Sequence, residues 1–317
     1  MPLPPEITVT IEKVGEDAEN GAAYLVKACR ANDAEICRNT FHFRDDLLID
    51  IEPQWMLEKA VPRHAGEAVK RGPADATRNA EVEAQLARYG QRLYGFLFDD
   101  GADLAAFFKY NDAYRGQARL TLALHENAAA LWRLPWEYLH DGDDFLALHG
   151  RLLLSRTPYG LGQLEPPPAP LPLRLLVIIS SPENVPDLDT EEEIGVIQEA
   201  LDEAQREGRV EVHYLDDATL PAIGEALRRV NPHVVHYTGH GVYDEEAERS
   251  VLALEREDGR ARHAGIDELR PLLQDAPALR LVVLSGCQTA RTSDVDAFRG
   301  VATGMLKTGV PSVVAMQ

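Results

Sequence analysis

Residues 173–215 read "LRLLVIISSPENVPDLDTEEEIGVIQEALDEAQREGRVEVHYL", and this stretch decides the fold. It opens with "LRLLVIIS" (173–180), a near-continuous apolar run of the kind that forms a strand buried on both faces. "DTEEEIGVIQEALDEAQREG" follows. Thr190 with Glu193 three residues later makes a capping box. Ile194, Ile197, Leu201 and Ala204 keep helical spacing, and Gly208 is placed to end the helix. "VEVHYL" (210–215) is the next strand. The alternation then continues to the end of the chain. "TLPAIGEALRRV" (219–230) is a helix with Ile223, Leu227 and Val230 on one face, and "HVVHYT" (233–238) is a strand. The insert "SVLALERED" (250–258) suits a small hairpin, and "IDELRPLLQ" (266–274) a helix. "LRLVVLS" (279–285) is a strand, "FRGVATGMLKTG" (298–309) a helix and "VPSVVAM" (310–316) a strand. Strands alternating with helices predict an α/β fold, a mostly parallel sheet with helices on both faces.

The half before this is mixed α and β. "EITVTIEKV" (6–14), "AAYLVKACR" (22–30), "DLLIDI" (46–51), "ARLTLALHE" (118–126) and "GRLLLSRTP" (150–158) read as strands. Residues 78–98 and "GADLAAFFKY" (101–110) read as helices, and Trp132, Trp136 and Tyr138 read as core. No nucleophile, metal cluster or phosphate loop stands out here. The halves are separated by "GLGQLEPPPAPLPL" (160–173), whose five prolines forbid regular helix and favour an extended spacer. The expected domains are a mixed α/β N-terminal domain over 1–165 and an α/β domain over 166–317.

Composition narrows the function. Lys plus Arg number 32 against 52 Asp plus Glu, a formal charge of −20. That disfavours a nonspecific grip on nucleic acid, which needs clustered cations, and an anionic membrane surface as partner. No run approaches the length of a spanning helix, and "MPLPPEITVT" lacks the basic start of a secretory signal. The three cysteines, Cys29, Cys37 and Cys287, show no metal-like spacing and suit a reducing cytoplasm.

Chemistry gathers at two strand ends. "HVVHYTGHGVYD" (233–244) places His240 two residues beyond one apolar strand, and "LRLVVLSGCQTAR" (279–291) places Cys287 two residues beyond another. Sites on open parallel sheets form beyond the carboxyl ends of the strands, so neighbouring strands would bring both side chains to one edge. A thiolate is the reactive form of cysteine, and an imidazole can take its proton or stabilise its charge. Gly239, Gly241 and Gly286 allow sharp turns and close approach of a substrate backbone. The amides of Gly241 and Cys287 can then serve as an oxyanion hole. No side chain offers itself to orient His240; a backbone carbonyl can do so.

The histidine precedes the cysteine by 47 residues, the caspase order and about the caspase spacing of ~50. "SGCQT" is not the caspase signature, however. The paired motifs "HYTGHG" and "LSGCQTA", followed by "FRGVATGMLKTGVPSVVAMQ", resemble bacterial CHAT domains, caspase-like cysteine peptidases of the group that includes caspases, gingipains and separase. "LPWEYLHDGDDFLALHGRLLLSRTP" (134–158) also looks like the amino-terminal part of such proteins. The resemblance spans roughly residues 130–317. It implies a caspase-like fold for 166–317, His240 and Cys287 as the catalytic pair, and Gly241 as the oxyanion-binding glycine. It further implies cleavage of a peptide bond in a protein target, without cofactor or metal, within a regulated prokaryotic defence or cell-death pathway. By analogy with separase, the first half is a degenerate, inactive copy of the fold. Relatives continue past the point where this chain stops, so the catalytic domain is expected to be C-terminally incomplete.

Other readings carry less. His236 sits inside its strand as a hydrogen-bonded core residue, and His233 is structural or exposed. A zinc site from His236, His240 and Cys287 lacks convergence. "GHG" matches no nucleotide-binding fingerprint, and Ser285 is in no nucleophile elbow. "DTEEE" is a capped helix start. "YDEEAER" (243–249) is a solvated loop or, alternatively, a cleft lining that favours basic substrate residues. The alternative function is a catalytically silent caspase-like signalling or scaffold module. An unrestrained protease is toxic to its own cytoplasm, so an activating sensor domain or partner protein is expected.

Overall fold

The computed structural model describes residues 6–17, 19–30, 34–44, 73–98, 118–148, 152–161, 168–186, 190–244, 249–285 and 292–315. The predicted strand at 46–51 and helix at 101–110 lie outside them. The chain divides into two compact units, Met1–Gly160 and Leu161–Gln317.

The first unit is built on a mixed sheet. Strands β1 (Glu6–Asp17), β2 (Gly21–Arg30) and β3 (Glu35–Phe43) pair antiparallel, while β4 (Ala118–Leu124) and β5 (Leu152–Pro158) continue parallel from β1, in the order β3-β2-β1-β4-β5. Ile7, Val9 and Ile11 alternate inward along β1 and are fully buried, as a strand with period two requires. Helix α1 (Pro73–Leu97) lays Leu86, Tyr89, Leu93 and Leu97 inward at three- and four-residue spacing. Trp136 lies in a 3-10 turn, fully buried, and its indole N–H donates to Leu131 O at 3.0 Å. Trp132 and Tyr138 pack against the same core.

The second unit holds a wholly parallel sheet. Its strands are β6 (Leu173–Ile179), β7 (Val210–Leu215), β8 (Val234–Thr238), β12 (Leu281–Ser285) and β13 (Ser312–Ala315), in the order β13-β12-β8-β6-β7. A separate small sheet joins β9 (Gly241–Asp244), β10 (Arg249–Glu255) and β11 (Ala261–Ala264) antiparallel. The hairpin expected near 250–258 is thus present, with β9 as an added strand.

Among the described residues, four helices cover the sheet: α2 (Thr190–Arg206), α3 (Leu220–Val230), α4 (Ile266–Gln274) and α5 (Thr292–Lys307). Ile223, Leu227, Leu269 and Met305 from α3, α4 and α5 join Val235, Tyr237, Val282 and Leu284 in one core. Residues of opposite parity in β8 face the other way, where His236 meets Glu193 of α2. Helices therefore flank both faces, as the alternation predicts. Thr219 caps α3 by accepting from Ala222 N, and Asn231 ends it in the left-handed region at φ 46°. The apolar stripe of α2 is shallower than its spacing suggests. Ile194, Ile197, Leu201 and Ala204 are all only half-buried. Among the described residues no helix is long and apolar enough to cross a membrane.

Candidate functional site

β8 and β12 are neighbours and parallel, in a register that sets Thr238 beside Ser285. The two strands therefore end level. Gly239 N–H donates to Ser285 O at 3.2 Å, which extends the pairing one step past β8. His240 follows at once. Cys287, two residues after Ser285 in the chain, and Gly286 lie outside the described residues, as do residues 245–248 of the acidic run.

His240 is nearly buried, with 8% exposure. Its backbone carbonyl accepts from Ala253 N at 2.9 Å and from the Tyr237 hydroxyl at 3.2 Å. Tyr237 also donates to Ala253 O at 2.9 Å, and the Ser180 hydroxyl donates to that carbonyl at 2.7 Å. Burial pushes the Tyr237 hydroxyl well above its ordinary value, so it stays protonated and remains a donor. The histidine's main chain is thereby anchored to β10 from below.

The ring is anchored separately. His240 Nε2 lies 2.8 Å from Pro186 O, in the connection between β6 and α2. A carbonyl only accepts, so Nε2 carries the proton and Nδ1 is the remaining basic nitrogen. This is the backbone carbonyl that the sequence allows for without identifying.

The glycines divide in function. Gly239 is expected from sequence to admit a substrate backbone. Its missing side chain also makes room for Tyr237, because a Cβ there would stand 2.4 Å from the Tyr237 hydroxyl oxygen. Gly241 begins β9 opposite Leu252. The preceding pair, His240 with Ala253, is hydrogen-bonded, so Gly241 occupies a non-hydrogen-bonded position and its N–H points away from β10.

The other histidines of β8 separate by depth and direction. His233, 1% exposed, accepts from Arg174 N on Nδ1 at 2.9 Å, at the amino edge of the sheet. His236 pairs with Glu193 through Nε2 at 3.1 Å, the hydrogen-bonded role its position inside the strand predicts. Glu193 is the residue whose part in this edge the sequence reading misses. It looks like the acidic member of a capping box, yet its carboxylate reaches the sheet. Among the described residues no three His, Cys, Asp or Glu side chains gather closely enough to hold a metal ion.

A comparison with curated proteins found no significant match. The family model of the CHAT domain matches residues 87–317. That span starts inside α1, so it reaches further into the first unit than the motifs alone suggest. The fold, the level strand ends and this match, which covers most of the chain, agree: the chain belongs to the CHAT domain family, a caspase-like, peptidase-related group.

Proposed function

We propose that the chain is a cysteine endopeptidase that cleaves a protein target through Cys287 and His240. One observation carries the reading: His240 stands at the level carboxyl ends of β8 and β12 with Nε2 bound to Pro186 O, leaving Nδ1 as the basic nitrogen. The strands lie about 4.8 Å apart, and Cys287 follows β12 at the same two-residue offset as His240 follows β8.

In this mechanism Nδ1 of His240 takes the thiol proton. The Cys287 sulfur adds to the scissile carbonyl carbon, and the oxygen gains negative charge between the amides of Gly241 and Cys287. The C–N bond then breaks, the imidazolium gives its proton to the leaving amine, and a thioester remains. Water adds to that thioester, again with His240 as base, and releases the acid product and the thiol. The N–H direction of Gly241, away from β10, supports its part as a donor. Pro186 O steadies the ring and the imidazolium that forms. No metal or organic cofactor enters these steps.

The reaction belongs in the cytoplasm under the control of a sensor domain or partner protein, in a prokaryotic defence or cell-death response. The purified chain is accordingly expected to be nearly inactive until stimulated. Broad cleavage by the unstimulated chain would remove the need for control.

The deciding experiment is mass spectrometry of new peptide termini in a proteome treated with the stimulated chain. Termini that appear with wild type and vanish with both Cys287→Ala and His240→Ala support the peptidase. Identical termini with all three proteins overturn it. No new termini under stimulation, with Cys287 also inert to a thiol-reactive peptide probe, would instead establish a silent signalling module.

A further inference from the structure

Glu193 makes contacts that a helix-capping residue does not need. It sits in the first turn of α2 with its side chain 22% exposed, and Oε1 lies 3.1 Å from His236 Nε2. The Ser285 hydroxyl donates to the same carboxylate, while the buried Thr238 hydroxyl nearby makes no hydrogen bond among the described residues. Burial pushes the Glu193 carboxyl up, but the hydrogen bonds from His236 and Ser285, the His236 charge and the Thr238 hydroxyl more than offset it. The group therefore stays below the usual carboxylate value.

These groups share one sheet face. His236 and Thr238 are two residues apart in β8, and Ser285 stands beside Thr238 in β12. One carboxylate thus joins a helix start to two adjacent strand ends, one leading to His240 and the other to Cys287. The same helix begins four residues after Pro186, whose carbonyl holds the His240 ring. A carboxylate offers about four acceptor sites. With His236 and Ser285 as donors from two neighbouring strands, Glu193 is suited to holding the site together rather than to binding a substrate cation. Charge-assisted bonds of this type are roughly twice as strong as neutral ones.

We propose that Glu193 is a positioning residue. It holds the first turn of α2 onto the ends of β8 and β12, and so keeps Pro186 O on Nε2 of His240. This rests on the peptidase reading for its catalytic meaning, while its geometry can be tested without any activity.

The test is nitrogen NMR of the full chain labelled at histidine, which reports the His240 tautomer, alongside urea unfolding and the rate of Cys287 alkylation by iodoacetamide. Wild type should show His240 protonated at Nε2. Glu193→Ala should give a mixture of tautomers and at least a tenfold slower alkylation near pH 6.5. Glu193→Gln keeps the shape and an acceptor oxygen, so it should stay within about threefold of wild type. If Glu193→Ala loses urea stability yet leaves the His240 signal unchanged, the residue is only structural and the proposal fails. A His240→Gln control separates the two ideas. Alkylation indifferent to that change sinks the peptidase reading, whereas an altered His240 signal in Glu193→Ala would still uphold the positioning role.

Discussion

The two ends of β8 carry two buried histidines in opposite circumstances. At the amino edge, His233 is locked into the sheet: its N–H donates to Arg174 O at 2.8 Å, its carbonyl accepts from Arg280 N at 2.9 Å, and its ring accepts from Arg174 N. The Arg174 guanidinium meanwhile donates to Val230 O and Asn231 O at the end of α3. Ring and main chain alike serve to join elements. At the carboxyl edge, His240 has its main chain tied to β10 and its ring held through one nitrogen, leaving the other for chemistry. Thr238 and Ser285 end β8 and β12 there, and Ser180 directly follows the adjacent β6, all three buried. Parallel strands gather all their carboxyl ends on one side, so the same residue type supports the fold at one edge and can act at the other.

This contrast can be broken by exchanging the roles. The largest effect is expected at the carboxyl edge. His240→Gln should lower the peptide hydrolysis rate of the stimulated chain by about 10²–10⁴-fold, the usual worth of a general base. Its stability in urea should change by about 1 kcal/mol or less. Next comes the amino edge, where His233→Ala strips the acceptor from Arg174 N–H. That should cost about 1–3 kcal/mol, the penalty for an unsatisfied buried group, with the hydrolysis rate of the folded fraction within about twofold of wild type. Substantial loss of rate in His233→Ala at full stability would erase the distinction between the edges.

Gly239→Ala tests the anchoring beneath the site. The added Cβ conflicts with Tyr237, and overpacking of this kind costs about 1–3 kcal/mol. Calorimetry should show that loss, and Tyr237→Phe in the same chain should recover part of it by removing the conflicting hydroxyl. The smallest effect is in pH dependence. Burial first, then the charges of Arg174 and Arg280, hold His233 below the usual histidine value. As pH falls below about 6.5, the unfolded chain takes up the proton more readily than the folded one, so stability declines. That contribution is intact above pH 6.5 and is lost as pH drops through the folded value. His233→Gln should flatten the slope of urea stability between about pH 7.5 and pH 5.5.

Much of the carboxyl edge was legible because it is written in residue order. The runs at 173–180, 233–238 and 279–285 announce buried strands, and each is followed by small and polar residues. What stayed hidden depends on long-range or backbone groups. Pro186 contributes a carbonyl, which every residue possesses, so no side-chain pattern could single it out. Glu193 has a satisfactory local explanation as a capping residue, which concealed its contact with His236, 43 residues away. β9 is four residues inside a polar motif, too short for periodicity to register. β3, "EICRNTFHF", was unreadable for another reason. Asn39 shares its alternating row with buried Phe41 and Phe43 and breaks the apolar pattern. Its amide is nevertheless satisfied by donating to Gly95 O and Phe96 O of α1.

The proposed peptidase requires His240 to share its work with Cys287, and the pH profile of Cys287 alkylation by iodoacetamide measures that most directly. In wild type the rate should persist as pH falls from about 8 to about 6, because the imidazolium formed when His240 takes the thiol proton stabilises the thiolate. In His240→Gln it should collapse across the same range, as it does for an ordinary thiol of pKa ~8.5. Superimposable profiles for the two proteins, both ordinary in shape, would contradict the pairing and with it the peptidase.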